Sequence, residues 1–186
     1  MERIPIIENP KLFDLAVADM QQRLGYELPW LDHIFGICER NTRTIDGQRY
    51  DVATVYTGNN QYEQIEPCDK LGNFCFFYLK DPQEFLRNND TRLHSPLSAV
   101  FWYNVSKVGS PYERNREAIK EDVLKVLQSA HLPNGTFVWS RLYEEPKNVF
   151  TEFTYDFVDN QFLMSPYAGF RIDATLYVDI PCVPLQ

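Results

Sequence analysis

The sequence predicts an α+β fold: a single domain spanning 1–186, with a mainly antiparallel sheet and helices packed on one face. Three observations carry this reading. The stretch 168-AGFRIDATLYVDIPC-182 places Phe170, Ile172, Ala174, Leu176, Val178 and Ile180 on one parity, with Arg171, Asp173, Thr175, Tyr177 and Asp179 on the other. Two capped, amphipathic helical stretches, near residues 10–24 and 111–130, stand apart from one another. Between and after them run short alternating segments without strict βαβ succession, giving the order α(α)-β-β-β-α-β-β.

Asn9-Pro10 opens the first helix, with Asn as cap and Pro at the first helical position. Phe13, Ala16, Val17, Met20 and Leu24 form its apolar stripe, and Gly25 is the expected stop. A short second helix is expected from Pro29, burying Leu31, Ile34, Phe35 and Cys38. The polar run 39-ERNTRTIDGQR-49 reads as a loop, with Asp46-Gly47 a hairpin turn. Strands follow over Tyr50–Tyr56 and Tyr62–Ile65, separated by Gly58-Asn59-Asn60. The run 73-NFCFFYLKDP-82 is apolar on both parities, and 97-LSAVFWYNVSKV-108 alternates again. Loop excursions are expected near 83–95 and 144–165. Ser110, Pro111 and Glu113 form a capping box for the helix that buries Ile119, Val123, Val126, Leu127 and Ala130. A strand over 136-TFVWSRLY-143 and a helical turn after Pro146 precede the closing strand. Burying its large apolar residues stabilises the fold by roughly 7–15 kcal/mol at the upper bound, so it must enter the core sheet.

With 44% apolar residues the chain has ample material for a core. Its net charge of −8 argues against a protein that grips nucleic acid, which needs surplus Lys and Arg. No apolar run has the length of a membrane span, and 1-MERIPIIENP-10 lacks the apolar core of a secretory signal. Cys38, Cys68, Cys75 and Cys182 form no C-x-x-C and read as free, reduced thiols. The sequons at Asn89, Asn104 and Asn134 read as chance matches. His33, His94 and His131 fall in no metal-ligand pattern, and His94-Ser95 has no nucleophile elbow beside it. Glu144-Glu145 precedes Pro146, where acids complement a helix start, and the glycines match no phosphate-binding loop. No catalytic, cofactor or metal site is therefore expected.

Aromatics are the remaining anomaly. Both parities of 73-NFCFFYL-79 are apolar, and Val100 and Trp102 lie opposite the Leu97–Phe101 face. A sheet apolar on both faces must be covered twice, by helices on one side and by a second layer or a neighbouring subunit on the other. Phe76, Phe77, Tyr78, Trp102 and Tyr177 are the candidate subunit-interface residues.

The stretches 9-NPKLFDLAVADMQQRLG-25, 28-LPWLDHIFG-36, 55-VYTGNNQYEQIEPCDKLGNFCFF-77 and 160-NQFLMSPYAGFRIDATLYVDIPC-182 resemble the tail-terminator and head–tail connector proteins of tailed bacteriophages. They look most like the neck ring proteins of the crAss-like group. The resemblance implies a tail-terminator-like fold and a structural virion protein without enzymatic activity, made in the host cytoplasm and residing in the neck or tail. It implies a homo-oligomeric ring of six or twelve copies between portal, connector and tail proteins, with genomic DNA passing through unbound. Glu144, Glu145, Asp173 and Asp179 are the candidate channel-facing acids, which would repel DNA. The competing expectation is a small monomeric carbohydrate- or peptide-binding module using exposed aromatics, with Trp30, Trp102 or Trp139 reporting the ligand.

Overall fold

The computed structural model describes residues 1–85, 92–109, 115–154 and 164–180. In chain order, helix α1 (Phe13–Glu27) leads to strands β1 (His33–Ile37), β2 (Glu39–Ile45), β3 (Gln48–Gly58), β4 (Gln61–Ile65), β5 (Phe74–Leu79), β6 (Glu84–Phe85) and β7 (Arg92–Asn104). Helices α2 (Val105–Val108) and α3 (Arg116–Ser129), strand β8 (Thr136–Tyr143), helix α4 (Pro146–Val149) and strand β9 (Tyr167–Asp179) complete them. The fold is α+β and mostly antiparallel. The larger sheet runs β1-β5-β7-β9-β8, with β6 taking the place of β5 beside the first residues of β7. Among the described residues only β1 with β5 is a parallel pair. A second sheet, β2-β3-β4, is an antiparallel meander.

The parity of the last strand decides the main core. Phe170, Ile172, Ala174, Leu176 and Val178 all face the same way, beside Leu97, Ala99, Phe101 and Tyr103 of β7 and Phe77 of β5. α1 covers this face through Phe13, Ala16, Val17, Met20 and Leu24, and α3 through Ile119, Val123, Val126 and Leu127. The closing strand is thus central, flanked by β7 and β8.

The opposite face is also covered, and by the chain itself. Phe74, Phe76, Val100 and Trp102 pack against Phe35, Cys38, Ala53, Val55 and Ile65 of the smaller sheet and its approach, with Val149 and Phe150 from α4. The helices therefore do not all lie on one face as expected, since α4 joins this second layer.

Several local expectations are corrected. The helix expected from Pro29 is strand β1. Ile34 enters the first core and Phe35 the second, so the apolar run fills both faces of a strand and mimics a helical stripe. Residues 39–49 are a hairpin rather than a loop, turning at Asp46 and Gly47 with φ of 52° and 79°. Gly25 does not end α1. A Cβ there would lie 2.2 Å from Ile4 Cδ1, so the missing side chain admits the N-terminal segment. That segment is held by Arg3, whose guanidinium donates to the Leu31 and Leu28 carbonyls at 2.9 and 3.1 Å. Leu12 rather than Asn9 stands at the cap of α1, without a side-chain bond. The expected excursion over 83–95 contributes β6 and the start of β7, and the one over 144–165 contributes α4. Ser110, Pro111 and Glu113 lie outside the described residues; α3 is capped by Asn115, which accepts from Ala118 N at 3.1 Å.

Candidate functional site

Three of the five candidate interface aromatics are unavailable to a partner. Phe76, Phe77 and Trp102 are each 0% exposed. Phe77 belongs to the helix-covered core, while Trp102 stacks on Phe74 and Tyr167 at 5.5 and 5.4 Å in the second. The face that called for a neighbour has its second layer within the chain. Tyr78 is half-buried against Phe153, and Tyr177 stacks on His94 at 5.4 Å. Trp30 is buried as well, and Trp139 is half-buried with its Nε1 donating to Leu127 O, so the tryptophans form no shared ligand platform.

Each of the four candidate channel acids has a cationic neighbour. Asp173 is an internal tie, accepting from Ser98 Oγ at 2.6 Å and pairing with Lys80 at 3.4 Å and Arg171 Nε at 3.2 Å. The buried Arg171 also donates to Thr151 Oγ1 at 2.6 Å and lies 4.3 Å from the Tyr143 ring centre. Its Nε contact is an ion pair without hydrogen-bond geometry. Glu144 meets Lys120 at 2.9 Å. Burial pulls the Lys120 pKa down, but the hydrogen bonds to Glu117 and Glu144 outweigh it and the net shift is upward. Glu145 starts α4 and pairs with Lys147 at 3.2 Å, and the exposed Asp179 faces Arg92 at 3.4 Å.

A second polar knot closes one end of the larger sheet. Asp69 accepts from Tyr167 OH at 2.6 Å, Lys107 Nζ at 2.9 Å and Asn104 Nδ2 at 3.1 Å. These bonds, led by Tyr167, hold its carboxyl down at about 2. Buried Asn73 accepts from Asn104 N and donates to Trp30 O, linking β7 to the stretch before β1. The bonds of Asp69 join its loop to the ends of β7 and β9.

Among the described residues, two edges stand open to a partner. β8 pairs with β9 alone among the described residues, leaving its outer backbone row unpaired. Val138 on it is 51% exposed. One irregularity near Ser140 and the single charge of Arg141 guard its far half, whereas Thr136–Trp139 has neither charge nor proline. The other open element is the β2–β3 hairpin, whose residues Glu39–Thr44 and Asp46–Arg49 are exposed. Thr154 brackets its middle, opposite Thr42, by accepting from Asp51 N and donating to Asp51 O, and Arg40 reaches Glu152 at 3.8 Å. Beyond these, Arg43 and Arg49 have no ion-pair partner among the described residues.

A cleft of about 160 Å³ opens between α1, β1 and the smaller sheet, lined by Asp14, Gln21, Glu39, Tyr56 and Tyr62 among others. Burial raises the Asp14 pKa, and no cation faces it among the described residues. Gln21, buried beneath, is satisfied by donating to Pro5 O and Ile34 O at 3.0 and 2.8 Å. Sequence reading missed Arg43, Arg49, Asp14 and Glu39. The signal for the arm was present, since Thr42, Thr44 and Ile45 precede Asp46-Gly47, but its polar composition suggested a loop.

Among the described residues no three His, Cys, Asp or Glu side chains meet as a metal site would require. Cys38 and Cys75 are buried, which pushes both thiols up in pKa, and Cys68 is half-buried. Cys182 lies outside the described residues. No described helix is long and apolar enough to cross a membrane. Comparison with known proteins finds no family model that matches the chain and no curated protein similar to it.

Proposed function

We propose that the chain is a structural assembly subunit that forms or joins a ring in the neck or tail of a tailed phage, between portal and tail proteins. One observation carries this reading: the outer edge of β8. Natural monomers shield long edge strands with charge, proline or a covering element. Thr136–Trp139 carries no charge or proline and no covering element among the described residues, and its outer donors and acceptors suit strand addition by another polypeptide. The chain works by shape and charge rather than by chemistry. With a net charge of −8, it lets DNA pass through the ring by repulsion without holding it.

Native mass spectrometry and class-averaged micrographs test this on the purified chain, alone and mixed with a portal ring. Closed rings of six or twelve copies, or a stable joint with the portal, are expected. A chain that stays monomeric in both preparations overturns the reading. Gel shifts at moderate salt should show negligible binding to duplex DNA. Tight binding that weakens steeply with salt would remove the passive-channel role.

A further inference from the structure

The β2–β3 hairpin projects further than its own contacts support. β4 pairs with β3 from Ala53 onward and Thr154 ties Asp51, so the free tip is Arg43–Ile45 with Gln48–Tyr50, about 10 Å long at about 3.3 Å per residue. An isolated two-stranded ribbon is marginal in water, so a projecting one with both faces exposed gains from a covering surface. Its charge indicates which surface. Residues 40–49 carry three arginines against one aspartate, in a chain whose net charge is −8.

The complement lies at the other end of the same ribbon. Glu39 and the half-buried Asp14 border the cleft beside Tyr62, whose ring is 57% exposed and packs edge-on against Tyr56 at 5.4 Å. A carboxylate beside an open aromatic ring matches a guanidinium, by ion pairing and by stacking. At about 160 Å³ the cleft is smaller than the roughly 300–1,000 Å³ of pockets for drug-sized ligands, and suits one side chain. Arg43 lies four residues along β2 from Glu39, about 13 Å at about 3.3 Å per residue, so the tip points away from its own cleft and towards that of another molecule.

We propose that the arm of one copy docks on a second copy, placing a tip arginine, Arg43 or Arg49, in the cleft bordered by Asp14, Glu39 and Tyr62. The two arginines lie on opposite faces of the ribbon, since Arg43 pairs with Tyr50 and Arg49 with Thr44. One therefore enters the cleft while the other stays at its rim. Arm and cleft are different patches, so the contact is head-to-tail and propagates to a closed ring or a filament. The inference rests on the assembly reading above and names its joint.

Sedimentation velocity across a concentration series tests it on the full chain, with the double variants R43E/R49E and D14R/E39R. Each alone should raise the association midpoint by roughly tenfold or more. Mixed in equal amounts, the two should recover the wild-type size distribution, because reversed arm meets reversed cleft. That recovery also shows that both variants are folded, with E39R alone as a milder cleft change. Variants that assemble like wild type overturn the arm while leaving the ring reading in place. Loss of assembly without recovery in the mixture overturns the pairing of these residues. A wild-type chain that never associates with itself overturns the arm, while the ring reading is decided by the mixture with the portal ring.

Discussion

At the scale of single residues, polar groups are used mostly as ties. Asp69 shows how pH reads such a tie. Three donors hold its carboxyl at about 2, below the ordinary 3.8. A depressed carboxylate stabilises the fold fully above the ordinary value and loses that contribution as pH falls through the lowered one. Asp69→Asn should therefore lower the thermal midpoint at neutral pH, with the difference from wild type closing between about 4 and 2. A gap that persists at the acid end would mean that the loss is steric. Trp102 gives a sharper contrast, because the sequence suggested a subunit contact and the structure buries it fully. Trp102→Ala should destabilise the monomer by about 3–5 kcal/mol in urea unfolding. If the monomer kept its stability and only assembly suffered, the residue would be a contact after all. Sequence placed Trp102 on the right strand and face. Which molecule covers that face depends on residues far away in the chain, such as Val55, Ile65 and Phe150.

At the scale of elements, period decided most assignments. The alternation of β9 was legible because one of its faces lies entirely in the helix-covered core. β1 was not legible, because a short strand with Ile34 and Phe35 in two different cores has no polar parity. The arm failed for the opposite reason: a ribbon exposed on both faces has no apolar parity to display. The described start of α3 rests on a single side-chain cap. Asn115 caps Ala118 N, and Asn115→Ala should cost about 1 kcal/mol in denaturant unfolding. An unchanged midpoint would show that an earlier turn holds the helix end.

At the scale of the whole molecule, two cores share one sheet, and each carries a thiol. Cys75 lies in the helix-covered core and Cys38 in the layer beneath the smaller sheet. Site-resolved alkylation should label half-buried Cys68 first, and Cys38 and Cys75 together only as the protein unfolds. Labelling of Cys38 well before Cys75 would show that the second layer opens separately. The sequence by itself determined that a mostly antiparallel α+β sheet forms, that its last strand is buried, and that both sheet faces need cover, because these follow from local period and apolar content. Only the tertiary structure decided that the second cover comes from the chain itself. It alone showed that the candidate acids are each matched by a cation, and that Asp14 and Glu39 border one cleft. Period reports which side of an element is dry, whereas the partner that dries it depends on contacts between distant residues, which no local pattern encodes.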